Sequence, residues 1–155
     1  MTEAKVSDII DTAIKREEEA YAFYMDIHGR VQDPSVKDAL EFIAGEEKKH
    51  KAFLVAYREG GYGAAALRMS DFVDYKIAEH LEEPELAGEV TSEKVYLTAA
   101  HRELKSHRFY TDLAGLHPEG ELHEMLLKIA NEELKHKEKM EYLYANTAFP
   151  QTDGG

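Results

Sequence analysis

The spacing Glu-x-x-His occurs twice in the chain. Glu47 and His50 lie in the segment "EEKKHK", and Glu133 and His136 lie in the nearly identical segment "EELKHK". Residues three apart share one face of an α-helix, so each carboxylate can converge with its imidazole on a single point. Carboxylate oxygens and imidazole nitrogens are ligands for divalent transition metals, and the spacing therefore predicts metal-binding chemistry.

The two segments belong to a longer internal repeat with an offset of 86 residues (136 − 50 = 86). The same offset aligns "AIKREEEAYAFYMD" with "AAHRELKSHRFYTD" without any insertion. In each copy a further glutamate, Glu17 or Glu103, stands 30 residues before the glutamate of Glu-x-x-His (47 − 17 = 133 − 103 = 30). The repeat indicates two copies of one helical hairpin.

Each of these further glutamates lies in a mostly apolar or aromatic stripe of its helix. Glu17 shares its face with Tyr24, and Glu103 shares its face with His107 and Tyr110. A lone carboxylate buried in such a stripe is costly. If the hairpins pack about a pseudo-twofold axis, four glutamates and two histidines meet in the bundle, and two divalent cations would balance the four carboxylates.

The elements that position these residues are predicted to be long helices, so the fold class is all-α. Apolar residues recur at helical spacing over four stretches, at about residues 3–29, 34–59, 92–116 and 119–146. Asp33 followed by Pro34 is a typical helix start, and Gly60 is a typical helix end. The connection between the hairpins contains "SDFVDYKIAEHL", which predicts a short extra helix.

We therefore expect one domain at residues 1–147, followed by a flexible tail at 148–155. It would consist of a hairpin at 3–59, a long crossover at 60–91 and a second hairpin at 92–146. The crossover is long enough to retrace a helix, which would make the helices at 34–59 and 92–116 parallel. The alternative that the repeat permits is an exchange of hairpins between two chains of a dimer. We expect the protein to form a homodimer.

Composition excludes several kinds of site and partner. The 155 residues contain no cysteine, which excludes disulfides and thiolate-bound metals. A formal charge of −12 would repel nucleic-acid phosphates and anionic membrane surfaces. No apolar stretch approaches the roughly 20 residues of a membrane span, and the start does not look like a signal peptide. We expect a cytoplasmic protein without nucleic-acid or membrane partners.

The repeated hairpin resembles the ferritin-like di-iron carboxylate proteins and, within them, the rubrerythrins. The resemblance covers nearly the whole chain and implies a ferritin-like four-helix bundle. In it Glu47 and Glu133 would bridge two metal ions, Tyr24 and Tyr110 would hydrogen-bond ligand carboxylates, and His107 is a candidate for a role beside the site. The metal ligands that the resemblance implies are Glu17, Glu47, His50, Glu103, Glu133 and His136.

The resemblance also implies a non-haem di-iron oxidoreductase of oxidative-stress defence that reduces hydrogen peroxide or dioxygen. Iron suits this ligand set, with Mn or Zn as substitutes. Rubrerythrins carry a rubredoxin-like domain with cysteine-bound iron, so this cysteine-free chain would need a separate electron donor, such as a rubredoxin-like protein. They also carry a further glutamate three residues after the third-helix ligand, where this chain has Ser106. We therefore expect a more symmetric site.

Two other functions are compatible with the same residues. Ferrous ion could itself be the substrate and be oxidised for storage or detoxification, since an acidic surface would attract it. The chain could also be a helical scaffold, because segments rich in Glu and Lys such as "EEKKHK" usually form a solvated helix face. In a scaffold the Glu-x-x-His residues would face solvent.

Overall fold

A computed structural model describes residues 3–60, 76–86, 90–117 and 119–148. Within these ranges no strand occurs, and the expected all-α class is confirmed. The helices of the described ranges are α1 (Glu3–His28), α2 (Pro34–Arg58), α3 (Ile77–His80), α4 (Ser92–Gly115) and α5 (Glu121–Ala148). The bounds of the four long helices agree with the predicted ones within two residues.

Local sequence signals account for the ends of the long helices. Asp33 has extended backbone angles, and one of its carboxylate oxygens accepts a hydrogen bond from the Ser35 amide at 2.9 Å. The Thr91 hydroxyl caps α4 in the same way by accepting from the Lys94 amide at 3.3 Å. Gly60 follows α2 with φ +84°, a conformation that glycine adopts without a steric penalty.

Two apolar clusters show how the helices run. One contains the end of α1, the start of α2, the start of α4 and the end of α5, including Ile27, Leu40, Val95 and Met140. The other contains the opposite ends of the same four helices, including Ile10, Leu54, Leu113 and Leu126. Each hairpin is therefore antiparallel, whereas α2 and α4 run parallel, as the long crossover requires.

The short helix α3, in the described part of the crossover, packs against α5 of the bundle. Lys137 and Glu141 of α5 are fully buried beneath it. The Lys137 Nζ atom lies 2.8 Å from Glu79 Oε1 and 3.0 Å from Glu141 Oε2, and the Ala78 amide donates to Glu141 Oε2 at 2.8 Å. Residues 70–75 of the predicted extra helix and residues 149–155 of the predicted tail lie outside the described ranges.

None of the described helices combines the length and the apolar character that crossing a membrane requires.

Candidate metal centre

Each long helix places its predicted ligands near its middle, between the two apolar clusters. These polar side chains lie three or four residues from buried apolar residues of the same helix, so they lie on the same face. Because that face packs inward, the polar side chains also point inward. All six predicted ligands are buried, and none is more than 7% exposed. A scaffold whose Glu-x-x-His residues face solvent is therefore ruled out by the fold, because these side chains point into the bundle.

The six side chains form two overlapping groups of four. In each group the facing oxygen and nitrogen atoms lie within 4.8 Å of one another. Glu47 and Glu133 belong to both groups, which is the arrangement expected of carboxylates that bridge two metal ions. The first group is Glu17, Glu47, His50 and Glu133, and the second is Glu47, Glu103, Glu133 and His136.

The imidazole rings of His50 and His136 are stacked at the centre, and both point Nδ1 inward. Their centroids are 5.9 Å apart. His50 Nδ1 is 3.1 Å from Glu133 Oε1 and 3.4 Å from Glu17 Oε1. His136 Nδ1 is 3.6 Å from Glu133 Oε1 and 3.7 Å from Glu47 Oε1. Both histidines therefore present Nδ1 to the carboxylates of the cluster.

Many of these facing atoms form no aligned hydrogen bond, even where they approach closely. Buried polar atoms without a partner are costly, and a cation shared among them would relieve that cost. The donor set therefore fits divalent metal ions. The unpartnered ligand atoms are Glu17 Oε2, Glu47 Oε1, His50 Nδ1, Glu103 Oε2, both carboxylate oxygens of Glu133, and His136 Nδ1.

The carboxylates influence one another strongly. Burial and then repulsion from Glu103 raise the pKa of Glu47 well above its usual value, and burial and then repulsion from Glu133 do the same to the pKa of Glu103. Burial alone would raise the pKa of Glu133, but the facing His136 and His50 rings outweigh it and lower that pKa. In the metal-free centre these shifts favour the protonated forms of Glu47 and Glu103, and bound cations would favour the ionised forms.

Tyr24 and Tyr110 join the two hairpins crosswise. The Tyr24 hydroxyl on α1 donates to Glu103 Oε1 on α4 at 3.1 Å, and the Tyr110 hydroxyl on α4 donates to Glu17 Oε1 on α1. Burial, followed by the nearby carboxylates, raises the pKa of both phenols well above the usual value. The hydroxyls therefore stay protonated and act as donors to the predicted ligands.

A second reciprocal pairing flanks these hydrogen bonds. The Arg16 guanidinium lies 5.1 Å from the centre of the Phe109 ring, and the Arg102 guanidinium lies 3.9 Å from the centre of the Phe23 ring. These residues are equivalent in the repeat (16 + 86 = 102 and 23 + 86 = 109). Each arginine directly precedes a predicted ligand, so the cation–π contacts hold Glu17 and Glu103 in register between α1 and α4.

Two further residues singled out in the sequence, His107 and Ser106, belong to neither ligand group. Nδ1 of His107 lies 3.0 Å from the backbone oxygen of Ala130, so the half-buried ring packs against α5. A catalytic role for His107 stays a prediction. Ser106 and its repeat equivalent Ala20 are both buried, 5% and 6% exposed.

The structure adds two contacts that the sequence analysis did not identify. Glu132 contacts His50, with Oε2 2.5 Å from Nε2. In the sequence, the feature that points to Glu132 is the pair of adjacent glutamates that begins each of the two repeated segments.

Lys137 departs from the expectation that a segment rich in Glu and Lys forms a solvated helix face. It is fully buried, whereas its repeat equivalent Lys51 is 42% exposed. The difference arises because α3 covers Lys137.

The fold and the cluster define a ferritin-like helical protein with a buried carboxylate–histidine centre suited to metal ions. The Rubrerythrin family model matches residues 1–58. These residues include α1 and α2 and thus Glu17, Glu47 and His50. No curated protein and no solved structure matches the chain significantly. The match covers 58 of the 155 residues, so it shows a likeness of the first hairpin to that family, and the second hairpin repeats the same spacing of Glu and Glu-x-x-His.

Proposed function

We propose that the chain is a non-haem di-iron protein that reduces hydrogen peroxide or dioxygen with electrons from a separate donor. The observation that carries this proposal is the pair of buried ligand groups that share Glu47 and Glu133. A carboxylate-rich set with one imidazole in each group suits iron, with Mn or Zn as substitutes. The Rubrerythrin match over the first hairpin supports iron and redox chemistry.

In this proposal each ligand group would hold one iron ion, and Glu47 and Glu133, which belong to both groups, would serve both ions. When bound, a di-iron centre supplies the two electrons that, with two protons, reduce one peroxide molecule to two waters. The electron donor would be a small redox protein, such as a rubredoxin-like one.

The protein's own contribution is to orient the ligands and to keep bulk water out. Tyr24 and Tyr110 each hold one carboxylate oxygen of Glu103 or Glu17 through a buried hydrogen bond, and the second oxygen of each carboxylate is buried without a partner. The apolar clusters close both ends of the centre. A dry site strengthens the interaction of charged ligands with bound cations.

Two surface grooves give a small oxidant access to the centre. One has a volume of about 260 Å³ and is lined by Glu17, Glu18, Tyr21, Lys48 and Lys51. The other, of about 190 Å³, is lined by Phe42, Glu46, Glu132, Lys135, His136 and Lys139. A larger cavity of about 630 Å³ lies at the α1–α2 turn and borders none of the six predicted ligands, so we assign it no part in the chemistry.

The acidic character of the chain favours a second candidate function, the oxidation of ferrous ion as substrate. A formal charge of −12 would attract Fe²⁺ to the protein. The two grooves do not add to this attraction, because each also carries two lysines, Lys48 and Lys51 in one and Lys135 and Lys139 in the other.

Metal loading is the first experiment. Protein reconstituted anaerobically with Fe²⁺ should hold about two irons per chain and should develop a near-ultraviolet charge-transfer band on oxidation. Glu47→Ala and Glu133→Ala should lose both irons, because each carboxylate belongs to both ligand groups. His50→Ala and His136→Ala should each weaken one iron more than the other. Glu18→Ala, at a side chain that is 51% exposed, is the control that should retain both.

Turnover then separates the two candidate functions. Peroxide consumed together with an added reductant in a fixed ratio of two electrons per peroxide would support the reductase. Continued oxidation of Fe²⁺ with growth of a ferric core, and no need for a reductant, would support the ferroxidase. A protein that stays free of metal after reconstitution would refute both.

A further inference from the structure

The two central histidines differ in what their outer nitrogen contacts. His50 Nε2 on α2 lies 2.5 Å from Glu132 Oε2 on α5, so this hydrogen bond crosses between the hairpins. For His136, no carboxylate of the described residues hydrogen-bonds to Nε2. Its ring instead meets Phe42 edge-on, with the ring centroids 6.1 Å apart.

The internal repeat shows that this difference does not arise from residue type. The repeat equivalent of Glu132 is Glu46 (132 − 86 = 46), which precedes Glu47 just as Glu132 precedes Glu133. The Glu46 carboxylate pairs with Lys49 on its own helix, at 3.5 Å. Both hairpins thus carry a glutamate at this position, but only Glu132 contacts an imidazole.

A carboxylate beside the outer nitrogen of an imidazole has two effects on a metal ligand. Ionised carboxylate oxygen only accepts, so it holds a ring proton on Nε2 and makes Nδ1, which faces Glu17 and Glu133, the nitrogen that would bind a metal ion. It also fixes the ring orientation and makes the ligand nitrogen more basic. The contact is well shielded, because the His50 side chain is 3% exposed and that of Glu132 is 21% exposed.

We infer that Glu132 is a positioning residue that orients His50 and makes the metal position of Glu17, Glu47, His50 and Glu133 the tighter of the two. The position that contains His136 lacks this support, because its ring contacts Phe42 and no carboxylate of the described residues holds its outer nitrogen, so it is the more readily exchanged. The inference rests on the metal centre of the proposed function, and it is independent of which oxidant the centre reduces.

Titration of the metal-free protein with Co²⁺, followed by calorimetry in the absence of oxygen, tests this order of affinity. The unmodified protein should show one tighter and one weaker class of site. Glu132→Gln keeps the side-chain shape and should weaken the tighter class about 10- to 100-fold. Glu46→Gln is the matched control from the repeat and should change neither class more than about threefold. His50→Ala should remove the tighter class and so identify it.

A measurement that does not depend on affinity accompanies the titration. In Zn²⁺-loaded protein the His50 Nε2 proton should exchange slowly with solvent in nuclear magnetic resonance spectra, and Glu132→Gln should make that exchange faster. Normal folding of the variant is checked by circular dichroism. The inference would be overturned if Glu132→Gln bound Co²⁺ as tightly as the unmodified protein. It would also be overturned if Glu46→Gln lost as much Co²⁺ affinity as Glu132→Gln. If the unmodified protein bound Co²⁺ at two sites of equal affinity, the inference about Glu132 would be refuted and the metal centre would stand. If it bound no Co²⁺, the metal centre of the proposed function would be refuted as well.

Discussion

Lys137 provides a sharp test of how α3 is joined to the bundle. Its ammonium group is fully buried between Glu79 and Glu141, at 2.8 and 3.0 Å. Glu141 is fully buried as well, whereas the Glu79 side chain is 24% exposed. We expect Lys137→Met to destabilise the metal-free protein by about 3–5 kcal/mol, because it leaves the Glu141 carboxylate buried without its cation. Water can reach Glu79, which limits the loss at that end.

Urea unfolding of the metal-free variants at pH 6, followed by circular dichroism, measures this cost. The matched control is Lys51→Met, the repeat equivalent (137 − 86 = 51), where a 42% exposed lysine pairs with Glu18 at 3.3 Å. An exposed pair of this kind contributes less than about 1 kcal/mol. The double variant Lys137→Met/Glu141→Leu should recover most of the stability, since it removes both buried charges. If Lys137→Met cost no more than Lys51→Met, the reasoning about burial beneath α3 would be wrong.

Three further predictions concern the centre itself. Tyr24→Phe and Tyr110→Phe should each lower the unfolding free energy of the metal-free protein by about 1–3 kcal/mol, because each removes a buried hydrogen bond to a carboxylate; a loss below about 0.5 kcal/mol in urea unfolding would contradict this. The raised pKa values of Glu47 and Glu103 mean that the folded metal-free protein binds protons that the unfolded chain has released, so its urea midpoint should rise as pH falls from 8 toward about 5. The metal-loaded protein should show the opposite trend, because protons compete with metal for the ligands, and a metal-free midpoint that is highest at pH 8 would refute the buried carboxylate cluster. Ser106→Glu should increase peroxide turnover or shift the near-ultraviolet band of the iron-loaded protein; no change in either at full iron content would mean that position 106 does not face the centre.

Much of the fold and of the candidate site follows from the sequence alone. Helical periodicity, the Asp33 cap and the glycine at position 60 predict the long helices, because such signals act within a few residues of one another. The 86-residue repeat predicts the two hairpins, and the Glu-x-x-His spacing identifies the side chains that meet between them. These features depend on local backbone geometry and on residue type, which a sequence displays directly.

The tertiary structure alone decided which of two repeat-equivalent side chains makes a given contact. Glu46 and Glu132 are the same residue type in the same repeat position, but only Glu132 supports a histidine. Lys51 and Lys137 are likewise equivalent, but only Lys137 is buried, because α3 covers one hairpin. These differences result from the packing of distant segments and of a crossover outside the repeat. A repeat in the sequence therefore predicts the symmetric part of the centre, and the contacts that break its symmetry depend on the assembled fold.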